Sequence, residues 1–257
     1  MEKIKFIIPI SDYKIQKDHK IISIGSCFAQ SMGERLEKNG FSILNQPFGT
    51  IFHPLAIQKL FSDSAVLEKD LMQRDGLWVH PDFHSVFKNE SKEKVVFNIL
   101  EQRKIVNELI KEADWLILTF GTSFRYFDKN LNQYIANCHK QPQKRFNRFF
   151  ISMEEMALSL IPFFKELNSK NKKLRIMLTV SPVRHTKDGI MENMVSKSNL
   201  RLLTDRLNNE LDFVDYFPAY EIMMDELRDY GFYKSDLIHP SEEAEDYIWR
   251  KFQETFF

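Results

Sequence analysis

Short, largely apolar runs recur along the chain, several of them ending at a small or turn-forming residue. They are Lys20–Gly25 (KIISIG), Phe41–Leu44, Asp114–Phe120 (DWLILTF), Leu174–Val180 (LRIMLTV) and Leu211–Phe217 (LDFVDYF). Runs of about 4–8 apolar residues bounded by turn signals read as strands buried on both faces. Helical spacing separates them. Phe28, Met32 and Leu36 sit four apart in Cys27–Lys38, which Asn39-Gly40 stops. Ile99–Glu112 carries Ile99, Ile105, Leu109 and Ile110 on a stripe, and Glu192–Leu211 carries leucines at 200, 203 and 207. Ser152-x-x-Glu155 fits a capping box ahead of ALSLIPFFKEL. After Ser241, EEAEDYIWRKFQ places acids in a first helical turn, where the helix dipole favours them. Strands alternating with helices predict a three-layer α/β/α fold with a mostly parallel sheet. Residues 62–98 and 122–150 break the alternation and are expected to be loop-like insertions over the strand ends.

Composition narrows the function. Thirty-six Lys and Arg balance 36 Asp and Glu, for a formal net charge of zero. A nucleic-acid or anionic-membrane binder is normally basic, so neither partner is expected. Phe146, Phe149 and Phe150 among Lys144, Arg145 and Arg148 are therefore read as packing residues rather than base-stacking ones. No run reaches the ~18–20 apolar residues of a membrane span. The apolar stretch Phe6–Ile10 is shorter than the ~7–15 residues of a secretory h-region. Two cysteines, Cys27 and Cys138, make no disulfide framework, and a reducing, cytoplasmic location is expected. No linker, repeat or low-complexity tract interrupts the chain, so residues 1–257 are expected to form one domain with its core at about 20–250.

In open α/β sheets, sites lie outside the carboxyl ends of the strands. Gly25-Ser26-Cys27, Gly121-Thr122-Ser123 and Ser181-Pro182-Val183-Arg184-His185 fall there. A nucleophile set between strand and helix meets the positive end of the dipole and free backbone N–H groups, which favour a thiolate. The other reading of Cys27 is a small buried hydrophobe behind a glycine turn. Asp236 stands three residues ahead of His239, where its carboxylate can orient the ring and stabilise an imidazolium. Pro240 keeps His239 extended. The duller reading is a plain helix start. Asn137-Cys138-His139-Lys140 is either a substrate-contact loop or a surface loop, since adjacent Cys138 and His139 lack the usual spacing of metal ligands. Arg184 either holds an anionic substrate group or is solvated. His53 and His84, in aromatic segments, read as structural. No Walker, GxGxxG, HExxH or CxxC pattern occurs, so neither metal nor other cofactor is expected.

Together these segments resemble the SGNH (GDSL-like) hydrolase superfamily. More closely, Gly25-Ser26-Cys27-Phe28-Ala29 spells the name motif of the GSCFA family. The likeness continues through Asn45–Thr50, Phe120–Thr122, Ala136–Lys140, Thr179–Arg184 and Asp236–Ser241, and spans about residues 20–250. The resemblance implies an SGNH-hydrolase-like (flavodoxin-like) fold and a covalent acyl-enzyme. Laid on the usual Gly-Asp-Ser block, Cys27 falls under the serine and Ser26 under the aspartate; a turn shifted by one residue would make Ser26 the nucleophile. His239 and Asp236 take the acid–base roles, and Gly49 the glycine N–H of the oxyanion hole. The usual Gly-x-Asn-Asp block here reads Gly121-Thr122-Ser123-Phe124, without the asparagine. Thr122, Ser123 or Asn137 are its candidate substitutes, with His139 and Arg184 as further substrate contacts. The implied function is hydrolysis of an ester or thioester on a small molecule or carbohydrate. The alternatives are acyl transfer, for example of an acetyl group to a carbohydrate, and a non-catalytic ligand-binding relative.

Overall fold

All five apolar runs enter one parallel sheet. The computed structural model describes residues 7–62 and 64–257; Phe6, the first residue of the N-terminal apolar stretch, and Asp63, inside the first expected insertion, lie outside them. Strands β1 (Lys20–Gly25), β2 (Ser42–Asn45), β5 (Trp115–Phe120), β9 (Arg175–Val180) and β10 (Val214–Tyr216) line up in the order β10-β9-β5-β1-β2. Counting sheet strands along the chain, this is 2-1-3-4-5, the doubly wound flavodoxin-like order.

The strands bury alternate residues on opposite faces, as the two-residue pleat requires. Ile22, Ile24, Leu116, Leu118, Phe120, Ile176, Leu178 and Val180 share one apolar cluster, while Ile21, Trp115, Ile117 and Met177 share the other. On the first face pack α2 (Pro54–Leu60), α3 (Lys92–Leu109), α4 (Met153–Lys170) and α5 (Ile190–Glu210). On the second pack α1 (Cys27–Lys38) and α7 (Glu242–Phe256), joined by the short α6 (Ala219–Glu221) and the wide turn Ile222–Glu226. The layers are therefore α/β/α, and α1 and α7 are neighbours.

The expected boundaries of β1 and α1 match the observed ones. Other elements differ for local reasons. Helix α3 starts seven residues before Ile99 because Ser91 caps it, its Oγ accepting from Lys94 N at 3.2 Å. Helix α2, which the apolar pattern did not predict, starts on a His53 cap: Nδ1 accepts from Leu55 N at 3.2 Å, and Pro54 supplies the first turn. Residues 62–98 carry the hairpin β3 (Met72–Arg74)–β4 (Leu77–Val79). Residues 122–150 carry the antiparallel sheet β7 (Gln133–Ile135)–β6 (Phe124–Asp128)–β8 (Phe146–Phe150) rather than plain loop. Their half-exposed aromatics pack on one another, as in the edge-to-face contact of Phe124 and Phe150.

Candidate active site

The chain reverses direction across the sheet between β1 and β5, and the residues following β1 sit at that switch point. Gly25 is there because no side chain fits: a Cβ would lie 2.5 Å from Thr119 O. Ser26 caps α1, its Oγ accepting from Phe28 N at 3.3 Å and donating to Ser181 Oγ at 2.9 Å. It is 2% exposed. Cys27 is the first residue of α1 and is exposed. Its N–H belongs to the first turn, whose amides have no intrahelical acceptor. Gln46, in the left-handed region at φ 48°, splints this turn: Gly25 N donates to Oε1 at 3.2 Å, and Nε2 donates to Ser26 O at 2.9 Å.

Asp236 and His239 form a closed loop ahead of α7. One carboxylate oxygen accepts from the N–H groups of Ile238 (2.9 Å) and His239 (3.0 Å). The other pairs with His239 Nδ1 at 2.7 Å. These bonds, led by the backbone N–H of His239 and then its ring, hold the Asp236 carboxyl well below the usual carboxylate range. With Nδ1–H donating to the carboxylate, Nε2 is the basic nitrogen. Leu237 between them sits at φ 57°, a conformation a branched aliphatic residue adopts only when its surroundings impose it. Ser241 then caps α7, accepting from Ala244 N at 3.2 Å.

Cys27 and His239 line one groove of about 560 Å³ between α1 and α7. Its walls mix polar and apolar surface, with polar side chains in the majority: Gln30, Glu34, Lys38, Asn39, Lys234 and Glu242 contribute, beside apolar faces of Phe28, Val183 and Trp249. Arg35, also on its wall, bridges the two helices through Glu245 (3.2 Å) and Asp246 (2.7 Å). A larger hollow of about 670 Å³, between α3 and α4, contains no cysteine or histidine.

The remaining sequence candidates lie elsewhere or are already engaged. Gly49, at φ +69° with the His84 ring where a Cβ would be, donates its N–H to Gln46 O at 2.8 Å. Thr122 and Ser123 are bound to α5: Thr122 Oγ1 meets Ser196 Oγ at 3.2 Å, and Ser123 Oγ donates to Ser196 O at 2.9 Å. Asn137 Oδ1 accepts from His139 N, and His139 is 2% exposed with Nε2 2.8 Å from His80 O. Burial pushes His139 below its ordinary value. The Arg184 guanidinium lies 3.9 Å above the Tyr233 ring, and Nη1 donates to Leu237 O at 3.3 Å; this part of the guanidinium holds the Asp236–His239 loop.

Gln46, Ser181 and Lys197 escaped the sequence reading as site-building residues. Each had a signal: Gln46 and Ser181 stand directly after a sheet strand, and Lys197 falls on the leucine stripe of α5. Among the described residues, no cluster of three or more His, Cys, Asp or Glu side chains is arranged to hold a metal ion. Nor is any helix among them long and apolar enough to cross a membrane.

A doubly wound sheet with this order is of the flavodoxin-like α/β/α class. Within that class, the model of the GSCFA family matches residues 20–252, and the chain belongs to the GSCFA family. Among solved structures, it is similar to an acetyl xylan esterase (Est2A) from the rumen bacterium Butyrivibrio proteoclasticus: 11% identity and a TM-score of 0.42, over 93% of this chain and 64% of that one. It is also similar to a carbohydrate esterase family 3 protein from Talaromyces cellulolyticus: 8% identity and a TM-score of 0.38, over 91% of this chain and 94% of that one. Likenesses this loose carry no argument about activity. The chain spans about 64% of the length of the first. No curated protein sequence matches it significantly.

Proposed function

We propose that this protein cleaves an acyl ester or thioester through a covalent thioester on Cys27. The carrying observation is that Cys27 and a carboxylate-oriented His239 line the same groove, whereas the hydroxyl of Ser26 is buried and donated to Ser181. His239 Nε2 takes the thiol proton as sulfur attacks the acyl carbon, and the carbonyl electron pair moves onto oxygen. The Cys27 N–H, in the first turn of α1, serves as a donor to the developing oxyanion. Collapse of the intermediate breaks the acyl C–O (or C–S) bond, and the leaving group takes its proton from His239. Water, deprotonated by His239, then attacks the thioester and returns free Cys27. Asp236 keeps the ring in the required tautomer throughout. The polar side chains on the groove walls favour a short acyl group on a hydrophilic scaffold such as a sugar. The groove volume also leaves room for a second alcohol in place of water, so acyl transfer is the second reading.

The test is intact-protein mass spectrometry after rapid quenching with p-nitrophenyl acetate. One acetyl adduct, cleaved by hydroxylamine, is expected in the wild type and in Ser26→Ala, and none in Cys27→Ala. An adduct that survives Cys27→Ala and vanishes in Ser26→Ala would move the role to Ser26. Absence of both adduct and turnover would leave a ligand-binding relative. Faster turnover on adding an alcohol acceptor would select transfer.

A further inference from the structure

On the sheet face opposite α1 and α7, helix α5 buries a lysine that has no carboxylate partner among the described residues. Lys197 of α5 is 1% exposed, and its Nζ donates to Gly121 O at 2.8 Å and to Ser181 O at 2.7 Å. The Tyr220 ring lies 5.9 Å from Nζ, and His185 is near enough for the lysine's charge to lower it. An ammonium buried without a counter-ion is expensive, and burial lowers this one to about 7. The amine form still carries two N–H donors, so both carbonyls stay satisfied in either protonation state.

Those carbonyls belong to the residues that follow β5 and β9. Ser181 begins a short strap, Ser181–His185, that touches both halves of the proposed site. At one end Ser181 Oγ accepts from Ser26 Oγ, the cap of the Cys27 helix. Three residues later Arg184 N donates to Ile238 O at 3.1 Å, and its guanidinium to Leu237 O. Helix α5 pins the strap twice, through Lys197 at Ser181 and through Asn193 Oδ1, which accepts from His185 N at 2.9 Å.

We propose that Lys197 is a positioning residue: by clamping Ser181 to the end of β5 it fixes the strap that sets the spacing between Cys27 and His239. This rests on the reading that Cys27 and His239 work as a pair. A buried lysine that only filled space would leave that spacing alone.

The experiment follows the iodoacetamide rate at Cys27 from about pH 5 to about pH 9, a range that spans imidazole titration. It compares wild type, His239→Ala, Lys197→Met, Lys197→Gln and Ser181→Ala, with thermal melts as folding controls. The wild-type profile is expected to depend on His239. Lys197→Met should shift it toward the His239→Ala profile and lower kcat about 10–100-fold with KM changed less than about threefold, the pattern of a misplaced reacting pair. Lys197→Gln, which keeps two amide donors, should recover part of both. Ser181→Ala, a small change at the strap's other bond, should shift the profile as Lys197→Met does and serves if that variant does not fold. A folded Lys197→Met or Ser181→Ala with the wild-type profile overturns this proposal alone. Coincident wild-type and His239→Ala profiles overturn both it and the Cys27–His239 pairing.

Discussion

Two regions of the molecule bring a cysteine and a histidine together, and they do so in opposite ways. Cys138 and His139 are neighbours in sequence; Cys27 and His239 come from the two ends of the chain and meet at one groove. Both histidines sit in strained loops, with φ 45° at His139 and 57° at Leu237. His139 is buried against a backbone carbonyl, and among the described residues no carboxylate pairs with its ring. His239 is part-exposed, and a carboxylate holds its Nδ1. An imidazole serves as a base only if the proton it gains is stabilised and its free nitrogen reaches the reacting atoms. In the proposed mechanism the carboxylate and groove at His239 would meet both conditions; the buried ring at His139 would meet neither. The contrast teaches that reactive residues adjacent in sequence are weaker evidence than reactive residues that the fold has to bring together.

The sharpest way to break the comparison is to remove each ring in turn. His239→Ala should abolish nearly all turnover of p-nitrophenyl acetate while melting close to wild type, because a part-exposed side chain at the strand ends adds little to the core. Unchanged kcat/KM in the folded variant would remove the mechanism. Asp236→Asn comes next, with an expected loss of ~10–1000-fold in kcat/KM; the same change in the serine-protease triad, a standard worked case, costs ~10⁴-fold. The loss should be smaller here because the backbone N–H groups of Ile238 and His239 still fix the loop. Since Asp236 is held below the usual carboxylate range, its share of stability is present above ordinary carboxylate pKa values and is lost progressively as pH falls from them through its own lowered value. An acid limb in the activity of the wild type near neutrality must then come from another group.

The frame of this site was legible where local rules decide the outcome. KIISIG and the four-residue spacing of Phe28, Met32 and Leu36 place Cys27 at a helix start without help from the rest of the chain. Asp-x-x-His closes a loop through bonds only two or three residues apart. What stayed hidden depends on partners far away. The Ser26 hydroxyl is consumed by Ser181, 155 positions on, and Ser123 by Ser196, 73 positions on, so their availability could not be judged from their own surroundings. Gly49 loses its N–H to the tight turn from Gln46. Lys197 did leave a trace: it shares a buried helical stripe with Asn193, Leu200, Thr204 and Leu207. Read alone, a mid-helix lysine passes for a solvated one.

A smaller effect separates the two thiols. Cys27 is exposed at a helix N-terminus, and Cys138 is only partly so in a loop. Brief iodoacetamide treatment near pH 7 should label Cys27 about tenfold faster, as expected for a thiol at a helix start. Peptide mass mapping gives the ratio directly. Equal labelling would erase the distinction drawn between the two Cys–His regions.

The smallest effect concerns His139. His139→Ala removes the bond to His80 O and leaves space among buried neighbours, for a cost of ~1–3 kcal/mol. For a chain of this size that lowers Tm by about 2–4 °C per kcal/mol, while kcat should stay within about threefold of wild type. The pH dependence adds an independent check. Burial lowers His139, and it lowers His80 to about 4 and His185 to about 3. The unfolded chain therefore binds more protons than the folded one from about pH 6.5 down toward those values, and stability falls with acidification across that window. Removing His139 removes one of these titrations, so the gap in Tm between wild type and variant should narrow as pH drops from about 7 to about 5. A constant gap, or a kcat that collapses with Tm unchanged, would mean that His139 acts on substrate and that the two Cys–His regions are not opposites.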